Sequence, residues 1–254
     1  MLQTWGGSVD QGYYSVAIKV SAIPLFFTNS ILRIFWKETT ESYQNKDFIK
    51  MNKIYKLFTY YLVIISGFIT FIILPWTPNL LDLILGSDFI DGHVIFNIIV
   101  LSTLFSCVHQ VCSSVFYATS KTQTYVLITL TTTTLGFLCT YILLSPNHDL
   151  LNFNLGGVGL AYKSLFYQVF TVSLFAYILC KKLNYTNIIP FIITSSVYYF
   201  VASQLCLLVV KLLLLSFIHS FILYSLLFTL LFIYYNKINN KIFKFNFFNS
   251  FKYI

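Results

Sequence analysis

Seven long apolar runs fill most of this chain, and the segments between them are too short to fold as water-soluble domains. Each run holds 20 to 25 residues, and about 20 helical residues cross a hydrocarbon core of about 30 Å. With 57% hydrophobic and 9% charged residues, the chain lacks the polar side chains that a water-exposed surface needs. The sequence predicts one all-α, polytopic transmembrane helical bundle, 1–254, ending in a basic tail at 236–254. Its spans are 13–36, 57–76, 94–118, 125–145, 158–180, 188–210 and 212–235.

The placement of lysines predicts the orientation of the bundle. Twelve of the sixteen cationic side chains lie in every second connecting segment or in the tail, whereas the alternate segments carry aspartates and only Lys211. The twelve are Lys37, Lys46, Lys50, Lys53, Lys56, Lys121, Lys181, Lys182, Lys237, Lys241, Lys244 and Lys252. Because basic loops stay in the cytoplasm, we expect the amino terminus outside and the carboxyl terminus in the cytoplasm. The net charge of +8 then reflects topology, and no nucleic-acid partner is predicted.

The sequence contains no pattern typical of an enzyme or a metal centre. The runs carry no paired carboxylates, and no serine or cysteine stands near a base in the manner of a nucleophile. The five cysteines lack the paired spacing of metal ligands and are predicted to be reduced packing residues. We therefore predict no catalytic residues, no metal and no cofactor.

Two short segments repeat each other. GYYSVAIK at 12–19 and GGVGLAYK at 156–163 share a glycine, an alanine and a lysine at matching positions. Both begin a span from the predicted outer side. The shared lysines, Lys19 and Lys163, are the informative part, because lysine is rare inside a span.

Several segments, taken in order, resemble the carboxyl-terminal half of bacterial polysaccharide flippases. They are GYYSVAIK, the basic loop after RIFWKE, NLLDLILGSDFIDG, FYATSKTQTYVLI and LGGVGLAYK. The likeness covers about residues 5 to 190 and is to the multidrug/oligosaccharidyl-lipid/polysaccharide exporter superfamily, in particular its O-antigen repeat-unit transporters. The resemblance implies two pseudo-symmetric bundles around a central cavity. This chain would supply the second bundle, and a missing amino-terminal half or a second copy would supply the first.

The resemblance also implies a function. Such a protein would flip undecaprenyl-pyrophosphate-linked oligosaccharide across the bacterial inner membrane by alternating access, in the synthesis of O-antigen and lipopolysaccharide. Its partners would be that lipid-linked glycan and membrane lipids. The alternatives are a multidrug or small-molecule exporter of the same superfamily, a membrane glycan polymerase or acyltransferase, and an inactive truncated product. Two cavity lysines would repel cationic drugs, and the short outer loops disfavour the two enzymes.

The candidate substrate cavity is built first on the two lysines. Lys19 and Lys163 lie about 8 to 9 Å below the outer boundary by helical rise. Facing a cavity, the two amines would attract an anionic pyrophosphate head group. The alternative is that each side chain extends to the outer head groups.

Polar side chains in the third and fifth runs extend the candidate cavity. Residues three or four apart in the third run stack on one helix face, which we expect to point inward. Hydrogen bonding between helices would explain this face equally well. Pro24 interrupts the first run and is a candidate gating hinge. The polar cavity candidates are Ser106, His109, Gln110, Ser113 and Gln168.

Overall fold

The computed structural model describes residues 2–5, 7–144, 155–213 and 217–242, and within these ranges the chain is a bundle of α-helices. Two short 3-10 helices, Leu74–Trp76 and Ser87–Gly92, flank α4. The α-helices are α1 (Leu2–Trp5), α2 (Gly7–Gln44), α3 (Phe48–Ile73), α4 (Thr77–Leu85), α5 (His93–Ala118), α6 (Thr122–Leu144), α7 (Gly156–Leu183), α8 (Ile189–Leu212) and α9 (Phe217–Ile242).

The predicted all-α polytopic bundle is confirmed. In the described part of the chain, six helical segments are long and apolar enough to cross a membrane. The two halves of α2, Gly7–Phe26 and Ile31–Gln44, meet at 51° and make a seventh span when counted together. The chain is therefore a multi-pass membrane protein. Ser145, Asp149 and the tail beyond Ile242 lie outside the described residues.

The helices extend past the predicted runs at the polar ends. α3 begins at Phe48 because Asp47 caps it, with its side chain accepting a hydrogen bond of 2.8 Å from the backbone N–H of Lys50. Such a cap satisfies one of the backbone donors that a helix start leaves open. The basic loop after the first run is thus mostly helical.

Contacts between helices give their relative directions. At the start of α7, Gly157 lies against Asp10 of α2 and Ile95 of α5. Further along, the Phe175 ring of α7 lies 5.2 Å from the His109 ring of α5. α2, α5 and α7 therefore run in parallel.

α3 and α8 run the other way. The Asn52 side chain near the start of α3 binds Thr186, just before α8. Tyr199, further along α8, lies beside Gly67, further along α3.

These directions place the predicted basic and acidic segments at opposite ends of the bundle. One end, called here the basic end, carries Lys46, Lys50, Lys121 and Lys181; the other, the acidic end, carries Asp10, Asp82, Asp88 and Asp91. Which end faces the cytoplasm stays a prediction.

α3 and α5 form the centre of the packing. α5 contacts α2, α3 and α7, and α3 also contacts α8. Tyr199 of α8 is 0% exposed and packs with Phe71, Phe232 and Tyr235. α6 and α9 lie at the periphery, where only 17% of the apolar window of each helix is buried.

Candidate functional site

Four exposed polar side chains follow one face of α2. They are Ser15, Lys19, Asn29 and Arg33. At 3.6 residues per turn their spacing confines them to an arc of about 80°, which they share with the exposed apolar residues Ala22 and Phe26. We call the four polar residues the α2 polar stripe. Lys19 and Arg33 lie about 21 Å apart along the helix by its rise.

The α2 polar stripe points away from the rest of the bundle. The buried residues Ala17, Pro24, Thr28 and Phe35 occupy the opposite face of the helix. That face packs on α5, where the Thr28 hydroxyl lies 3.2 Å from the Cys107 sulfur. The stripe therefore faces whatever surrounds this bundle in the membrane.

Hydrocarbon is an unfavourable neighbour for this stripe. Lys19 and Arg33 have long side chains that can extend toward the head groups. Asn29 cannot, because its short amide is fixed well inside the first predicted span, and an amide without a hydrogen-bond partner costs about 2–7 kcal/mol in an apolar medium. Intramembrane polar groups of this kind usually line a water-filled cavity or a protein contact.

Pro24 lies on the buried face of α2 near the bend. A proline inside a helix removes one backbone hydrogen bond and opens the turn before it. The carbonyl of Pro24 itself accepts a hydrogen bond of 3.0 Å from the Thr28 hydroxyl, one turn later. The bend of 51° divides the α2 polar stripe, with Lys19 on one half and Arg33 on the other. A hinge role for Pro24 stays a prediction.

The serines of α5 are satisfied by their own helix. Ser106 donates to the carbonyl of Ser102 at 3.2 Å, and Ser113 donates to the carbonyl of Gln110 at 2.9 Å. His109 packs against the ring of Phe175. Ser113 is buried, Ser106 and His109 are half-buried, and the two hydroxyls are bonded within their own helix. That this face lines a substrate cavity stays a prediction.

Two glutamines differ from these serines. The side-chain oxygens of Gln110 and Gln168 are buried and have no hydrogen-bond partner among the described residues. Gln168 shares a face of α7 with Ala161 and Phe175, which lie two turns away on either side and are both 0% exposed. Buried oxygens of this kind are usually bonded to ordered water or to a ligand.

Lys163 contacts α6 rather than α2. Its Nζ lies 5.9 Å from the centre of the Tyr167 ring, and its Cε lies next to Gly136 of α6. Lys19 is exposed on α2. A cavity shared by both amines stays a prediction.

Asn29 and Arg33 were not predicted to share one face with Lys19. The available signal was the spacing of 14 residues between Lys19 and Arg33, which is close to four helical turns. As regards metal binding, the described residues contain no cluster of three or more His, Cys, Asp or Glu side chains that could hold an ion.

Comparison of the chain with protein-family models, with curated proteins and with solved structures gives no match. The fold and the α2 polar stripe define an all-α, multi-pass membrane protein with a charged face directed away from its own core.

Proposed function

We propose that this chain is one of the two bundles of a flippase that moves undecaprenyl-pyrophosphate-linked oligosaccharide across the bacterial inner membrane. The observation that carries the proposal is the α2 polar stripe, which lies opposite the packed face of its helix. A second bundle placed against the stripe would enclose a polar cavity and remove Asn29 from hydrocarbon. The resemblance of the sequence to polysaccharide flippases supports the same arrangement.

The chemistry of the stripe suits an anionic, hydroxyl-rich head group. Lys19 and Arg33 would attract the pyrophosphate, because positive charge acts strongly in a cavity with low-dielectric walls. Asn29 and Ser15 would offer hydrogen bonds to sugar hydroxyls, while the polyprenyl tail stays in lipid. Cationic drugs would be repelled, so an oligosaccharide flippase is favoured over a multidrug exporter.

Transport would proceed by alternating access, with the two bundles rocking about the enclosed cavity. The bend beside Pro24 would let the halves of α2 carry Lys19 and Arg33 separately, so that the head group passes from one cation to the other. The amino terminus would lie outside and the basic end in the cytoplasm.

The test is glycan export in a strain that lacks its own polysaccharide flippase. The chain is expressed with a matching amino-terminal half, and export is measured as surface O-antigen per unit of membrane-inserted protein. Lys19→Ala and Arg33→Ala are expected to reduce export at least about tenfold, and Lys19→Arg to retain part of it, because the charge persists. Asn29→Leu should also reduce export.

Two matched variants separate the stripe from general damage. Lys53→Ala removes an exposed charge from α3, and Asn79→Leu replaces an exposed amide on α4. Both should leave export near the unmodified level. Normal export with Lys19→Ala, Arg33→Ala and Asn29→Leu would contradict the proposal. So would full export by this chain alone as a monomer.

A further inference from the structure

A pocket opens at the basic end of the bundle, between α3 and the connection from α7 to α8. It is a shallow pocket, partly open to the surroundings. It lies at the opposite end of the bundle from Asp10 and Lys163 and uses none of the residues of the α2 polar stripe. The lining residues are Lys56, Thr59, Tyr60, Thr186, Asn187, Ile188 and Phe191.

Thr59 is the unusual member of this lining. It is 0% exposed, yet its hydroxyl has no hydrogen-bond partner among the described residues. Many helical hydroxyls in the bundle bond to their own helix; for example, Ser66 donates to the carbonyl of Leu62 and Thr194 to that of Pro190. Among the described residues, the buried hydroxyls of Thr39, Ser42 and Thr129 share the lack of a partner with Thr59, but none of these three lines the pocket. The Thr59 hydroxyl is therefore a buried donor without an acceptor in the described part of the chain. Because Thr59 lines the pocket, a ligand bound there could supply the acceptor.

The other polar groups of the pocket are also donors. The Asn187 side-chain oxygen accepts a hydrogen bond of 3.1 Å from the backbone N–H of Ile189, which leaves its NH₂ group to donate. Lys56 contributes an ammonium group, and no aspartate or glutamate is among the described residues that line the pocket. Next to the pocket, burial raises the pKa of Tyr185, so its phenol stays neutral. A positively charged set of donors selects an anion.

The pocket is held by contacts on both sides. The Asn52 oxygen accepts hydrogen bonds from the backbone N–H and the hydroxyl of Thr186, at 2.9 and 3.0 Å. The ring of Tyr60 stacks on that of Phe191, with 5.1 Å between their centres. These contacts fix the connection before α8 against α3, so Lys56 and Asn187 keep their relative positions without a ligand. A preformed site loses less entropy when it binds.

We propose that this pocket binds a phosphate group, with Lys56, Thr59 and Asn187 donating to its oxygens. A phosphate has the several acceptor oxygens that converging donors require, and ammonium and hydroxyl donors form short, strong bonds to it. The pocket lies at the basic end of the bundle, where basic side chains would meet membrane head groups. The phosphate can belong to an anionic lipid or to a soluble ion, and these two sources are separable by experiment.

The test uses the full chain purified in a non-ionic detergent. Short-chain dioctanoyl phosphatidylglycerol is titrated into it, and bound lipid is counted by native mass spectrometry. The unmodified protein should show one saturable site. Lys56→Gln and Thr59→Val should each weaken binding at this site about tenfold, the typical effect of losing a hydrogen bond to a charged group. Thr59→Ser, which keeps the hydroxyl, should retain most of the affinity.

Matched controls are Lys53→Gln and Thr194→Val. Lys53 is exposed on the same helix and lies outside the pocket, and Thr194 is exposed with a locally bonded hydroxyl. Each should change affinity less than about twofold. The unfolding midpoint of every variant is measured in the same detergent, and Asn187→Ala replaces any variant that does not fold.

A second titration identifies the source of the phosphate. If inorganic phosphate displaces the lipid from the saturable site, the site accepts a soluble phosphate; if it does not, the site is specific for the lipid head group. Either result supports a phosphate site. The proposal is overturned if neither probe binds saturably, or if Lys56→Gln and Thr59→Val bind as the two controls do.

Discussion

The contact between Gly67 and Tyr199 predicts a sharp difference between two glycine substitutions. A Cβ atom at Gly67 would lie 2.6 and 2.7 Å from Cε2 and Cδ2 of the Tyr199 ring. Carbon atoms in contact prefer about 3.5–4.0 Å, so the ring would have to move by about 1 Å. Tyr199 is 0% exposed and is surrounded by other aromatic rings, which leave it no room.

The expected loss of stability follows from two opposing effects. Overpacking a filled core costs about 1–3 kcal/mol, and replacing a helical glycine by alanine recovers about 0.8–1.0 kcal/mol. Gly67→Ala should therefore lower the free energy of unfolding by about 0–2 kcal/mol. Gly12→Ala is the matched control, because a Cβ atom there has nothing within 4 Å, and it should raise the free energy of unfolding by about 0.5–1 kcal/mol.

The assay is reversible unfolding of the purified protein in mixed micelles of dodecyl maltoside and sodium dodecyl sulfate, followed by circular dichroism. The difference between the two variants should be about 2 kcal/mol. If Gly67→Ala proved as stable as Gly12→Ala, the close approach of α3 to α8 at Tyr199 would be refuted.

Two further contacts between helices predict effects in the same assay. Tyr224→Phe removes the hydrogen bonds of the buried phenol to the Phe71 carbonyl and the Ser203 hydroxyl, at 2.6 and 3.0 Å. It should lower the free energy of unfolding by about 1 kcal/mol. An unchanged free energy of unfolding would mean that this phenol does not hold α9. Asp10→Ala removes the carboxylate that accepts a hydrogen bond of 2.6 Å from the backbone N–H of Gly157. It should cost about 1–2 kcal/mol, and an unchanged free energy of unfolding would contradict a closed contact between α2 and α7.

The spans were predictable because hydrocarbon imposes a length and a composition on any helix that crosses it. The exact ends of the helices were not predictable from the sequence. α2 reaches Gln44, beyond the predicted limit at Trp36, and α3 starts at Phe48, since water-exposed turns are governed by caps and local hydrogen bonds rather than by hydropathy.

The candidate site was predictable only in part. Lys19 was predicted as a cavity residue because a lysine in a span is rare. The structure adds Asn29 and Arg33 on the same face. Whether that face is covered by the bundle depends on packing against α5, which the pattern of one helix does not contain. The phosphate pocket was even harder to predict from the sequence, since Thr59 and Asn187 come from distant parts of the chain.

The threonines of α6 have a consequence for how the protein is made. Thr131, Thr132 and Thr134 each donate to a carbonyl three or four residues earlier in the same helix. The hydroxyls of these three threonines are therefore satisfied before any neighbour arrives, whereas the buried Thr129 hydroxyl has no partner among the described residues. Only 17% of the apolar window of α6 is buried. α6 can leave the insertion machinery for lipid as an independent helix, whereas α2, with its polar stripe, reaches a stable environment only after assembly with other helices.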